Sequence, residues 1–223
     1  TPTTKRQEEQ FEKFALAMVK KARKKVFLNK DTMQMLFKNG GKVQRGVIDL
    51  LVRYSASDDR FPLLNYFEIT VPKHYNHATQ LADFALLSKG INIHESITDQ
   101  NFASVTHQLI PGKKYGVKIF GITRRETSED CLAFYAKQRV LLVGAQGLSL
   151  AWQLKKKEFF PDKWAVSFDK KDALWKTTLG YYKVSMAPCI GQSSNGIWRF
   201  FLSCVEIDSY GDRCLICFFD LAA

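Results

Sequence analysis

Two acidic residues stand where acids are costly. Asp49 lies among Val47, Ile48, Leu50 and Leu51, and Glu68 among Tyr66, Phe67, Ile69 and Val71. A carboxylate inside an otherwise apolar strand costs free energy unless it is paired or holds a cation. Two such acids on neighbouring strands converge naturally on one metal ion. Period-two geometry puts Glu68 and Thr70 on one face of their strand and Phe67, Ile69 and Val71 on the other. His74 and His77 follow that strand, and His94 stands beside Glu95 at the end of another. A His-x-x-His pair on a loop can bind metal, but there is no second pair at ligand spacing, so a surface or capping role is the simpler expectation.

The five cysteines, Cys131, Cys189, Cys204, Cys214 and Cys217, are an odd number in a chain large enough to fold without disulfides, which points to reduced thiols. Cys214 and Cys217 have zinc-knuckle spacing but sit in Arg-Cys-Leu-Ile-Cys-Phe-Phe, which reads as a buried strand. Strand residues three apart point to opposite faces, so buried structural thiols are expected rather than a shared metal. Cys131 falls in the first turn of a helix, where a thiolate is favoured. Glu129 and Asp130 beside it oppose that shift, and His107 is its one candidate base.

The elements that must position these groups begin with a basic helix. Between Thr1 and Lys30 the basic residues Lys5, Arg6, Lys13, Lys20, Lys21, Arg23, Lys24, Lys25 and Lys30 face only Glu8, Glu9 and Glu12. More than half of the net charge of +11 lies there. Thr4 with Gln7 fits a capping box, and Phe11, Phe14, Ala15, Met18 and Ala22 form one apolar stripe, so the segment reads as a docked helix. Its end, Lys20, Lys21, Arg23, Lys24 and Lys25, is either a phosphate-contacting patch or a solvated end that complements the helix dipole. A short helix through Met33, Leu36 and Phe37 should stop at Gly40-Gly41. Two strands follow, Gly46 to Tyr54 and Leu64 to Val71, joined as a hairpin through Ser55 to Pro62. Asn76 can cap a helix from His77 to Lys89 closed by Gly90, and Ile91 to Ile93 reads as a third strand.

This first unit resembles the PD-(D/E)xK nuclease superfamily over Gly46 to about Ile93. Gly46-Val-Ile-Asp49-Leu-Leu-Val is similar to the family's Gly-x-Pro-Asp-Leu strand, and Phe67-Glu68-Ile-Thr70 to its Phe-x-Glu-x-Lys strand. Gln80 falls where many members carry a glutamine on the next helix. The resemblance implies a nuclease-like mixed sheet in which Asp49 and Glu68 hold Mg²⁺ or Mn²⁺, the ion activating water against a phosphodiester. Two positions depart: Ile48 replaces the proline, and Thr70 stands where the lysine belongs. Either Lys73 or Lys89 supplies the amine, or the site is inactive. Some viral cap-snatching endonucleases show a similar Glu-x-Thr with the lysine displaced to the helix.

From about Pro111 the pattern restarts as β-α-β-α-β: strand Tyr115 to Thr123, helix Ser128 to Gln138, strand Arg139 to Val143, helix Leu148 to Phe159, strand Trp164 to Phe168. Tyr181 to Met186, Ile197 to Ile207 and Arg213 to Phe219 read as an antiparallel C-terminal meander. The expected class is α/β with α+β elements, divided as residues 1-108 and 109-223 with a boundary near 104 to 112, the two either separate or packed as one domain. Val140 to Ser149 resembles a dinucleotide-binding turn, but Gln146 and Ser149 occupy the later glycine positions, so a tight structural turn is expected. Trp152, Trp164, Trp175 and Trp198 should be core residues, with Trp164 or Trp175 as possible base-stacking exceptions.

A chain of 223 residues with 46% apolar and 25% charged residues excludes disorder and fibrous repeats. Val140 to Trp152 is too short to span a membrane, and the amino-terminal residues lack the apolar core of a secretion signal. An intracellular protein, cytoplasmic or nuclear, is expected. The basic excess, also clustered at Arg124-Arg125, Lys155 to Lys157 and Lys170-Lys171, favours a nucleic-acid partner, DNA or RNA, through counterion release. A non-catalytic module binding nucleic acid or an acidic protein is the alternative, and a viral or phage-type accessory protein acting through protein contacts is a third.

Overall fold

The computed structural model describes Lys13 and residues 58–206 and 213–221. Apart from Lys13, these belong to one compact unit, Ala56–Ala223. Asp49, the strand Gly46 to Tyr54 and the basic cluster at Lys20, Lys21, Arg23, Lys24 and Lys25 lie outside the described residues.

The strands are β1 (Leu63–Thr70), β2 (Ile91–Ile93), β3 (Lys114–Gly121), β4 (Trp164–Val166), β5 (Trp175–Leu179), β6 (Tyr182–Gln192), β7 (Trp198–Cys204) and β8 (Arg213–Asp220). The helices are α1 (Gln80–Leu87), α2 (Ser128–Gln138) and α3 (Gly144–Lys155). All eight strands join one mixed sheet in the order β1-β3-β8-β4-β6-β7-β2, with β5 paired to β6. The fold is therefore of the mixed α/β class. β1 and β2 precede the expected boundary at 108, yet pair with β3 and β7 beyond it.

Alternation along the strands builds a core on each face. Cys214, Ile216 and Phe218 of β8 join Phe67, Ile69, Val117, Ile119 and Phe200 under α1 and α3, which contribute Leu81, Phe84 and Leu148. Leu215 and Cys217 face the other way, with Phe120, Val166 and Cys189, onto Phe134 and Tyr135 of α2. Burying this much aromatic and aliphatic surface on both faces is the main stabilising term. α2 starts at a capping box in which Thr127 and Asp130 satisfy each other's backbone, and ends at Arg139 in the left-handed region at φ 55°. Tyr135 Oη reaches across the core to donate to the Ile216 carbonyl at 2.7 Å.

Several expected elements differ in detail. Arg139 to Val143 is not a strand. Leu141 makes one antiparallel bridge to Phe218, and Leu142 instead exchanges bonds with His107, whose Nδ1 accepts from Leu142 N at 3.0 Å. Two helix ends so close together leave too few residues for a ladder. α3 starts four residues earlier than expected, at Gly144 with φ 55°. A Cβ on Gly147 would sit 2.1 Å from Val143 Cγ2, so the glycine serves close packing, in line with a structural turn. β5 was not anticipated, because Trp-Lys-Thr-Thr-Leu lacks an apolar alternation. β8 does not extend the β6-β7 meander: it inserts between β3, antiparallel, and β4, parallel.

Candidate functional site

Glu68 is held by β1, whose register sets Glu68 opposite Gly116 and Tyr66 opposite Lys118 on β3. The alternation is as expected: Phe67, Ile69 and Val71 are buried, and Glu68 and Thr70 exposed. Glu68 accepts one hydrogen bond, from Tyr66 Oη at 3.3 Å. Lys118 shares this face, but its Nζ lies 4.5 Å over the Phe219 ring, and burial pushes its ammonium below the usual lysine range.

Asp49 lies outside the described residues, and of the rest of the nuclease-like set Gln80 lies away from Glu68. Gln80 is buried in the first turn of α1, on the opposite face of the sheet, where its Nε2 donates to Ser149 Oγ at 3.3 Å and approaches Gln153 Oε1 at 3.5 Å. Its amide ties α1 to α3. Lys73 lies exposed in the turn after β1, and Lys89 exposed beyond the end of α1. Among the described residues no three His, Cys, Asp or Glu side chains converge as metal ligands. A hard divalent cation takes six or more oxygens, so Glu68 alone does not make a site for Mg²⁺ or Mn²⁺. No metal-dependent step follows from the described residues.

The cysteines are free and buried. Cys214 and Cys217 lie in the cores on opposite faces of the sheet, too separated for one ion. Burial pushes the Cys131 thiol up to about 12, helped by Glu126 and Asp130, which removes it as a nucleophile near neutral pH. Trp152 and Trp198 are core residues, while Trp164 and Trp175 are half-buried, Trp164 stacked on the bare backbone of Gly191 and Trp175 against Phe102.

Two regions the sequence reading passed over present surfaces with chemistry. The β5-β6 hairpin turns through Gly180-Tyr181, Gly180 taking φ 62° at the first central position, as a tight two-residue turn requires. Tyr181 is fully exposed and Tyr182 is 75% exposed. Leu179 and Tyr182 are directly paired and continue the face that is buried further along at Val184. Lys176 and Lys183 are exposed on the opposite face, and Lys170-Lys171 lie exposed just before the hairpin. The turn was legible in the sequence as Gly-Tyr-Tyr between polar runs.

The second region is a cavity of about 560 Å³ beside the 3-10 turn His77–Thr79 and the start of α3, lined by Tyr75, His77, Asp99, Gln108, Leu109 and Gln146 among others. Asn76 caps the turn, its Oδ1 accepting from Ala78 N at 3.0 Å. Asp99 caps α1, each carboxylate oxygen accepting one backbone bond at 3.0 Å, from Leu81 and Ala82. His77 Nδ1 meets Tyr75 Oη at 3.2 Å, and burial pulls the imidazole below 6.5 against the opposing field of Asp99. Gln146 stands at a glycine position of the dinucleotide-like pattern, and no sequence signal marks its burial.

Among the described residues no helix is long and apolar enough to cross a membrane. Compared with known proteins, the chain matches no protein family, no curated protein and no solved structure.

Proposed function

We propose that the protein binds single-stranded nucleic acid, with the β5-β6 hairpin as one contact surface. The observation that supports this most is the pairing of chemistry at that hairpin. Two exposed tyrosine rings, Tyr181 and Tyr182, stand at the tip, and Lys176 and Lys183 flank it. Exposed aromatic rings of this kind stack on unpaired bases, each stack contributing roughly 1–3 kcal/mol, while lysines neutralise phosphates. The net charge of +11 and the basic cluster at Lys20, Lys21, Arg23, Lys24 and Lys25 support a polyanion partner. Duplex DNA hides its base faces and fits the exposed rings less well.

The test is fluorescence anisotropy with labelled single- and double-stranded DNA and RNA of equal length, at low and high salt. Single strands should bind more tightly than duplexes, and affinity should fall steeply as salt rises. Replacing Tyr181 and Tyr182 together by serine should weaken single-strand binding by roughly tenfold or more. Binding that ignores the double substitution would remove the hairpin from the interface, and no binding at low salt would sink the reading. Running the same samples with Mn²⁺ addresses cleavage: products lost on both Asp49→Ala and Glu68→Ala would place hydrolysis at that acid pair.

A further inference from the structure

Strand alternation in β7 sends Trp198, Phe200 and Leu202 toward the core under α1 and α3, and Arg199 and Phe201 to the other face of the sheet. Arg199 is exposed there. Phe201 keeps 44% of its surface in solvent, although its strand is paired on both sides. A half-bare phenylalanine inside a paired strand forfeits much of the burial that its ring could contribute.

Register fixes what stands beside these two side chains. Arg199 pairs with Gly191 of β6 on one side and with Asn92 of β2 on the other, and directly paired residues project to the same face. A Cβ on Gly191 would fall 2.6 Å from Trp164 Cδ2, so the indole of Trp164 occupies the space over Gly191, beside Arg199. His94 follows β2 and meets Phe201 edge to face, the ring centroids 5.0 Å apart at 86°. Its Nδ1 accepts from Ser96 N at 3.1 Å, which leaves the ring proton on Nε2. Trp164, Arg199, Asn92, Phe201 and His94 thus share one face of the sheet across β4, β6, β7 and β2.

That set has the chemistry of an unpaired nucleotide's complement. An open aromatic ring stacks on a base, a guanidinium neutralises a phosphate, and an amide or an imidazole N–H meets the edge of a base that no second strand occupies. The net charge of +11 fixes the sign of the partner. Glu95, exposed beside His94, sets the phosphate at the Arg199 side of the face and the base toward Phe201.

We infer that this face is a second contact surface for single-stranded nucleic acid, with a base stacked on Phe201 and the adjoining phosphate paired with Arg199. The inference rests on the single-strand reading but not on the hairpin. Tyr182 and Gly191 lie toward opposite ends of β6, roughly 30 Å apart, so a long strand can touch both surfaces and a trinucleotide only one.

The test is fluorescence anisotropy on the full chain with a labelled single strand of about twelve nucleotides. Phe201→Ser should weaken binding by roughly tenfold, and Arg199→Gln by roughly threefold with a shallower salt dependence. Arg199 is exposed, so its replacement leaves the core untouched, and a thermal melt checks the Phe201 variant. NMR supplies the second readout. In the Tyr181→Ser, Tyr182→Ser protein, a trinucleotide at millimolar concentration should shift the His94 and Phe201 ring signals, and ribose 5-phosphate should shift neither. If the unsubstituted protein binds no single strand at low salt, this surface and the single-strand reading fall together. If it binds, and either both substitutions leave the affinity unchanged or the two rings do not respond, this surface falls and the hairpin reading stands. Equal ring shifts with ribose 5-phosphate would leave an anion site without stacking and overturn the inference. Self-association lost on Phe201→Ser with strand binding unchanged would give the face to a second copy of the chain, which overturns it as well.

Discussion

Two polar regions of the molecule treat their buried groups in opposite ways. At the start of α2, Glu126 is 5% exposed, yet its carboxylate meets Arg124 at 2.7 Å and Arg60 at 3.5 Å. Arg60 also pairs with Asp58 at 3.0 Å, and Thr127 and Asp130 close a capping box beside it. Asp169, at the end of the β4 segment and 2% exposed, is similarly saturated: it accepts from the amide and hydroxyl of Thr106 and from Lys170 N at 2.7 Å. At the cavity beside α3, Gln146 Oε1 and His77 Nε2 have nothing. Saturated groups hold the fold. Open ones carry a cost that nothing in the fold offsets.

The largest expected effect comes from breaking the saturated side. Asp169→Ala strips the partner from the donors that converge on it and should cost about 3 kcal/mol in urea unfolding. A cost below about 1 kcal/mol would mean the residue does not anchor the segment between β2 and β3 that carries Thr106. Next, Glu126→Ala leaves Arg124 and Arg60, both solvent-reachable, to rehydrate. It should therefore cost less, about 1.5 kcal/mol, because the orphaned charges are not buried. On the open side, His77→Phe takes away Nδ1, the partner of the buried Tyr75 hydroxyl, so it should cost about 1 kcal/mol. A loss near that of Asp169→Ala would mean that His77 does more for the fold than pair with Tyr75.

The smallest effects appear in the pH profile of stability. His77 is held below its ordinary 6.5 in the fold, so the unfolded chain protonates first. Stability should fall as pH drops from about 6.5 toward the folded value, and His77→Phe should flatten that slope. Asp58 and Asp130 are held below their ordinary 3.8, Asp58 chiefly by its bond from Arg60 and Asp130 chiefly by Thr127. Their contribution is present above 3.8 and is lost as pH falls through their folded values. Burial holds Asp169 above 3.8, and that acts with the opposite sign over the interval between 3.8 and its folded value.

Sequence reading captured what local periodicity encodes. The alternation around Glu68, helix Ser128–Gln138 and strand β8 follow from apolar spacing and capping residues, while Asn76, expected to cap one helix from His77 to Lys89, caps the 3-10 turn His77–Thr79 ahead of α1, which ends at Leu87. It failed where partners distant in sequence decide. Arg139 to Val143 has strand composition but is pinned by His107 and by two helix ends. Trp175–Leu179 has poor strand composition but is templated by β6. Glu68 reads in the sequence as a misplaced acid, but alternation puts it on the exposed face of β1, where a carboxylate is solvated; the burial of Gln146 left no sequence signal. A glutamine in a helix becomes informative only once Phe102, from a loop 44 residues earlier, takes its amide and leaves its oxygen buried without a partner.

The strand order also constrains the sequence of assembly. β1 and β2, the first two strands of the described region, are at opposite edges of the sheet, while β8, the last, lies between β3 and β4. Until β8 is in place, β1 and β3 have no connection through the sheet to β4, β6, β7 and β2. The contacts that unite the sheet are thus long in sequence, which favours slow folding and exposes unpaired strand edges in the meantime. On a ribosome, the β1-β3 pair and the β6-β7 pair can form early as separate pieces. They become one sheet only when the segment around Arg213–Asp220 has emerged, so a chain stopped before it should aggregate rather than persist as a smaller fold.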